Sequence, residues 1–272
     1  MPAPSPISAD REFVFIGGLH RSGTSLLHRT LGTHPEISRF IDTGVPEDEG
    51  QHLQRVMGTA GRHGGIARFA LDPEAHLTED SDLATRPDTA ERLLKTWGRH
   101  WDPTRRLLVE KSPPNLIRAR LLQTVFPNSR FLMILRHPIT NAMASKKMAK
   151  KTRLHERMEH WFAAHKIMRE DLPYLKKVLV LRYEDLCGDP DTVLHMVADF
   201  LDVPDLFERP EIDDDVAARY REKWHAVIRR PLRGNYARFA VIRHHRAVRP
   251  YGYGIREPWI RGPLDLPEYQ RR

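Results

Sequence analysis

The run Phe13-Val14-Phe15-Ile16-Gly17-Gly18-Leu19-His20-Arg21-Ser22-Gly23-Thr24-Ser25-Leu26-Leu27 decides how this chain folds. Four consecutive apolar residues suit a strand buried on both faces, as in a parallel sheet. The glycines end that strand, and a helical pattern follows from Gly23 to Leu31. The spacing of Gly18 and Gly23 is that of a phosphate-binding loop. Backbone N–H groups in such a turn, with the positive end of the helix behind them, hold an anion. Serine and threonine hydroxyls add donors. A nucleoside-triphosphatase loop carries lysine directly after the second glycine. Thr24 stands there in this chain, and the cation is Arg21 inside the loop.

Three more apolar runs of the same kind lie further on. They are Leu107 to Val109, Phe131 to Leu135 and Val178 to Leu181. Helical patterns alternate with them: Asp88 to Trp101, Asn115 to Val125, Thr140 to Lys151, Leu154 to Leu172, and Asp191 to Leu201 with Asp191 as the expected N-cap. Strands alternating with helices predict right-handed crossovers and a doubly wound sheet. Ligands in such sheets sit outside the carboxyl ends of the strands. Those ends read Gly17 to Ser25, Glu110 to Ser112, Arg136, and Arg182-Tyr183. A triphosphatase places a magnesium-binding Asp at a neighbouring strand end. Cations stand at Lys111 and Arg136 here, which suits an anion site without a metal.

The 272 residues carry 44 Lys plus Arg against 36 Asp plus Glu, a net charge of +8 that favours an anionic ligand. One cysteine excludes an internal disulfide framework and a Cys-rich zinc site. No apolar run approaches the ~20 residues of a membrane span. Residues 1–10 lack the apolar core of a secretory signal, which makes a flexible tail and a cytoplasmic protein the expectation. Residues 11–272 are expected to form one α/β domain with a central parallel sheet of about five strands flanked by helices. Within it an insertion spans about residues 42–105, with a helix near Asp48 to Met57, and an irregular wrap covers 229–272.

The motifs together resemble the sulfotransferases that use 3′-phosphoadenosine-5′-phosphosulfate (PAPS). Leu19 to Leu27 is similar to that family's 5′-phosphosulfate loop. His34-Pro35, Glu110-Lys111-Ser112-Pro113, Leu135-Arg136-His137-Pro138 and Leu181 to Leu186 follow in the family's order, covering roughly Phe13 to Leu201. The resemblance implies that Arg21 binds the phosphosulfate, with Ser22, Gly23, Thr24, Ser25 and Leu26 donating to the 5′-phosphate. It implies that Arg136 holds the 3′-phosphate, that Tyr183 lies near the adenine, and that Lys111 is a catalytic lysine at the leaving oxygen. The family's 3′-phosphate serine falls at Ala144; Ser145 is next to it, with Lys146 and Thr140 as alternative donors. The family's Lys-Gly motif that closes over the cofactor has no counterpart, and Arg229, Arg230, Arg233 and Arg238 are candidates for its place.

Sulfuryl transfer resembles phosphoryl transfer, an in-line displacement with charge spread over equatorial oxygens. A base must take the acceptor's proton. Related sulfotransferases place an acid after the first helix, where this chain offers Glu49 first, then Glu47 and Asp42, with His52 as an outside candidate. Acids after Pro46 also suit a helix start for dipole reasons alone. The expected reaction is transfer of a sulfuryl group to a hydroxyl of a small-molecule, carbohydrate or lipid-like acceptor. The alternative is a P-loop nucleotide kinase, which predicts magnesium-dependent ATP binding. A nucleic-acid binder ranks last, because no aromatic-rich basic segment is present. His155 and His160 fall one residue outside the spacing of a zinc-protease helix and read as surface residues. His244-His245 lack a third ligand, so no metal is expected. The run from Lys146 to Arg153 reads as a solvated helix face, and Cys187 as a packing residue.

Overall fold

Phe13 and Phe15 face one core while Val14 and Ile16 face another, because successive strand residues point to opposite sides. The computed structural model describes residues 7–212, 215–229, 243–255 and 260–266. Its parallel sheet holds β1 (Glu12–Gly17), β2 (Ile37–Arg39), β3 (Leu107–Lys111), β4 (Ser129–Leu135) and β5 (Val178–Arg182). The spatial order is β2-β3-β1-β4-β5. The expected fold class therefore stands. Four of the strands are the apolar runs of the sequence. The fifth, β2, is only three residues on the sheet edge, too short to carry a pattern of its own.

The helices among the described residues are α1 (Thr24–Leu31), α2 (Asp82–Thr85), α3 (Thr89–Trp97), α4 (Ala119–Val125), α5 (Pro138–Ala144), α6 (Leu154–Asp171), α7 (Tyr183–Gly188), α8 (Pro190–Leu201) and α9 (Asp215–Ile228). One face of the sheet buries Leu27 and Leu31 of α1 with Val193, Leu194 and Val197 of α8. The other buries Trp97 of α3, Leu121 and Leu122 of α4, and Met158 and Trp161 of α6. Each fully buried side chain of this size is worth ~1.5–3 kcal/mol of transfer free energy. The central strand β1 pairs with β3 on one side and β4 on the other, so the chain order reverses beside it. The carboxyl ends of β1, β3 and β4 thereby converge on one crevice.

Several expectations are corrected. Residues 48–57 do not form a helix. Two 3₁₀ turns, Pro46–Asp48 and Gly50–His52, stand there instead, and Glu47 and Asp48 have left-handed φ of 55° and 50° that no α-helix accommodates. The helix expected over 140–151 begins at Pro138, ends at Ala144 and passes into a 3₁₀ turn, Ser145–Lys147. Lys146, Lys147, Lys150 and Lys151 are exposed, but on turns rather than along a helix. The N-cap of α8 is Asp189, whose carboxylate accepts from the Thr192 N–H at 3.1 Å, with Pro190 at the first helical position. Asn115 belongs to a 3₁₀ turn, Pro113–Ile117, ahead of α4. His160 is buried, not on the surface. Of the N-terminal tail, Ile7 and Ala9 pack against the core. Arg230, Arg233 and Arg238 lie outside the described residues, while Arg229 is exposed at the end of α9.

Candidate active site

The phosphate loop turns from β1 into α1 through two left-handed residues, Arg21 with φ 70° and Gly23 with φ 100°. Ser22 N–H donates to the Leu19 carbonyl at 2.9 Å and closes the turn. A left-handed arginine is costly, so neighbouring groups must hold it. Two do. Arg136, at the end of β4, donates from Nη1 to the Arg21 carbonyl at 2.9 Å. Asn141 of α5 donates to the His20 carbonyl and to Ser22 Oγ, both at 3.0 Å. Asn141 is a residue the sequence reading missed, since a buried asparagine in a helix carries no motif. With the loop so pinned, the Arg21 side chain is exposed at its tip.

Arg136 is almost wholly buried, and its guanidinium carbon lies 4.2 Å from the centre of the Tyr183 ring. Its Nε has no partner among the described residues. A buried guanidinium with a free donor, stacked on an aromatic face beside a helix start, fits a phosphate group. Burial, with a hydrogen bond to Cys187, pushes the Tyr183 phenol up to about 12. Tyr183 is therefore a neutral ring at neutral pH. Ser145 is buried, and its hydroxyl donates back to the Ala142 carbonyl at 3.3 Å. Thr24 and Ser25 open α1, and Leu26 follows on its first turn.

Lys111 ends β3 with its side chain fully buried. Its Nζ donates to the Glu47 carbonyl at 2.8 Å, to Glu49 Oε1 at 3.2 Å and to Ser25 Oγ at 3.3 Å. Ser25 in turn donates to Glu47 Oε2 at 2.8 Å. The turns at 46–52 thus bring Glu47 and Glu49 against the lysine. Asp42 is not brought there; it is exposed on the side of Arg39. Burial alone pushes the Glu49 carboxyl up. His52, Lys111, His20 and Gln51 override it and hold its pKa at about 2.

Glu110, one residue before Lys111, is fully buried and accepts from Ser112 and Asn115, each at 2.6 Å. Burial raises its pKa to about 7 despite those donors. Ser112 Oγ also accepts from the Gln51 N–H at 2.8 Å, and the Trp97 indole N–H donates to the Gly50 carbonyl at 2.9 Å. A side chain at Gly50 would strike Glu110. Glu110 is thus the anchor that locks the acidic turn onto the end of β3. On the far side of the crevice, Glu184 accepts from the His137 N–H at 2.9 Å and from the Tyr253 hydroxyl at 2.7 Å. Arg182 donates to the Gly262 carbonyl at 2.7 Å. The described part of the C-terminal segment is thereby fastened to the ends of β4 and β5.

A strand–loop–helix with an arginine in the loop, and lysine and arginine at the flanking strand ends, is an α/β arrangement suited to an anion. The sequence profile described as the Sulfotransferase family matches residues 13–209, and this chain belongs to that family. That membership places the chain outside the nucleotide-kinase alternative. Among curated proteins, the chain is 26% identical over 215 residues to protein-tyrosine sulfotransferase A of Caenorhabditis elegans, covering 71% of this chain and 50% of that one. It is 26% identical over 206 residues to protein-tyrosine sulfotransferase 2 of Gallus gallus, covering 72% and 52%. The chain spans about half the length of these curated relatives. Among solved structures, the sulfotransferase domain of the Synechococcus PCC 7002 olefin synthase shares the fold, with a TM-score of 0.51 at 17% identity, covering 80% of this chain and 90% of that one.

Proposed function

We propose that this protein transfers the sulfuryl group of PAPS to a hydroxyl of a small-molecule, carbohydrate or lipid-like acceptor in the cytoplasm. The observation that carries the reading is Lys111, buried between the Ser25 hydroxyl, the Glu47 backbone carbonyl and the Glu49 carboxylate. PAPS supplies the sulfuryl group and a phosphate leaving group. Arg21, Ser22, Gly23, Thr24, Ser25 and Leu26 hold the 5′-phosphosulfate. Arg136 and Tyr183 hold the 3′-phosphate and adenine, with Ser145 as a hydroxyl close to them. The acceptor oxygen forms a bond to sulfur as the bond from sulfur to the 5′-phosphate oxygen breaks. Glu49 takes the hydroxyl proton, with Glu47 behind it in that role; Asp42, exposed beside Arg39, is too far to one side to serve. Lys111 and Arg21 stabilise charge on the departing oxygen. A Lys111 ammonium that turns toward that oxygen leaves Glu49, and the carboxylate gains basicity as its cation departs.

A second reading has support from sequence likeness: the curated relatives are named for protein tyrosine. A tyrosine hydroxyl on a protein chain is then the acceptor, and the same residues serve.

Calorimetric titration with adenosine 3′,5′-bisphosphate (PAP), with and without EDTA and beside Mg·ATP, tests the donor site. PAP is expected to bind regardless of EDTA. Arg136→Ala is expected to weaken it by about tenfold or more, the worth of a charge-assisted hydrogen bond. Binding of Mg·ATP in preference to PAP overturns the reading.

Glu49→Gln is expected to keep PAP affinity and to lower turnover by ~10²–10⁴-fold. Near-normal turnover moves the base to Glu47. The same variant has a pH signature. The Glu49 pKa is held near 2 in the folded protein against an ordinary 4.5. Its stabilisation is therefore full above pH 4.5 and is lost as pH falls toward 2. Urea unfolding of wild type and Glu49→Gln is expected to converge as the buffer is taken down through that window.

A further inference from the structure

The acids at 47–49 are committed to three different partners. Asp48 accepts from the Thr43 N–H and hydroxyl, at 2.9 and 2.6 Å. Glu49 accepts from Lys111 at 3.2 Å and lies 3.6 Å from His52 Nε2. Glu47 turns the other way, and its Oε2 accepts from Ser25 Oγ at 2.8 Å, at the first turn of α1. Of the three carboxylates, Glu47's is the one bonded where the phosphate loop passes into its helix.

A serine hydroxyl has one proton to donate. On the reading above, the Ser25 proton serves the 5′-phosphate. A carboxylate and a phosphate cannot share it, since both are anions and both are acceptors. Lys111 has no spare donor to offer either. Its three N–H groups go to the Glu47 carbonyl, Glu49 Oε1 and Ser25 Oγ, the full complement of an ammonium.

The turn is built so that the Glu47 side chain moves alone. Buried Lys111 grips the Glu47 carbonyl, Trp97 the Gly50 carbonyl and Ser112 the Gln51 N–H. These bonds keep Glu47 in a costly left-handed backbone, φ 55° and ψ 22°. The side chain itself is exposed. Rotation about its own bonds releases Ser25 and leaves the turn in place.

Resting on the sulfotransferase reading above, we propose that Glu47 is an internal competitor at the donor site: its carboxylate holds the Ser25 hydroxyl that the 5′-phosphate of PAPS or PAP needs, and the two anions exchange by a swing of the Glu47 side chain. Such a competitor weakens apparent affinity by the fraction of molecules left open. PAP carries the same 5′-phosphate as PAPS, so Glu47 also favours departure of the spent donor.

Calorimetric titration of the full chain with PAP, at low and at high salt, tests this. Glu47→Ala is expected to tighten PAP about fivefold, the worth of an exposed charge-assisted hydrogen bond, at both salt levels. Glu47→Gln keeps an acceptor for Ser25 and is expected to tighten it less. In a Ser25→Ala background, Glu47→Ala is expected to change PAP affinity by less than about twofold, because no hydroxyl is left to contest. Unchanged or weaker PAP binding by Glu47→Ala overturns the competition. So does a gain that the Gln and Ala variants share equally, that survives in the Ser25→Ala background, or that salt removes. Each of those marks a diffuse charge effect rather than a contested proton. Failure of wild type to bind PAP at all is a different result, and it removes the sulfotransferase reading itself.

Discussion

Lys111→Met is expected to lower sulfuryl transfer by ~10²–10³-fold, the loss seen when one donor aimed at developing negative charge is removed. PAP affinity should change far less, because the loop and Arg136 hold the bisphosphate. The single substitution also strands the buried Glu49 carboxylate, which accepts from Lys111 at 3.2 Å. Breaking a buried ion pair from one side costs ~3–5 kcal/mol. Stability and catalysis would then fall together and confuse the result. The double variant Lys111→Met, Glu49→Gln separates them, since it removes both charges. Its unfolding midpoint should recover most of the loss, while single-turnover transfer stays slow. Transfer that recovers along with stability would show that Lys111 only supports the fold.

Gly23→Ala should abolish PAP binding, measured by calorimetry, while the circular dichroism of the folded protein persists. Two effects add. Gly23 sits at φ 100°, where a side chain is strained, and a Cβ there would collide with the edge of the Tyr183 ring. The loop must therefore shift or the ring must swing away from Arg136, and either destroys the paired geometry of the phosphate contacts. The strain is local to a turn and should leave the sheet intact. Retained PAP affinity in this variant would mean that Gly23 is only a joint between β1 and α1.

The motifs at the strand ends were legible because each combines a buried strand with a polar terminus, and parallel sheets put such termini at one edge. Local pattern reading misread the acidic turn after β2. Pro46-Glu47-Asp48-Glu49 has every mark of a helix start, yet Glu47 and Asp48 adopt left-handed backbone instead. Asp48 accepts locally from the Thr43 N–H and hydroxyl, but the rest of the turn is held from far away. Lys111 grips the Glu47 carbonyl, Trp97 grips the Gly50 carbonyl, and Ser112 grips the Gln51 N–H. Those partners lie 64, 47 and 61 positions away in the chain, beyond the reach of any periodicity. His160 misled for a related reason. A histidine among charged neighbours on α6 reads as solvent-facing, but Phe69 from the insertion covers it.

The sequence by itself determined the parallel sheet, the phosphate loop with Arg21 in place of a following lysine, and the basic strand ends, because buried strands and glycine turns are local physics. The tertiary structure alone decided which carboxylates meet Lys111 and Ser25, and that Asn141 and Arg136 brace the loop. Those relations depend on crossovers that bring distant turns to the same crevice, and no short stretch of chain encodes a distance across it.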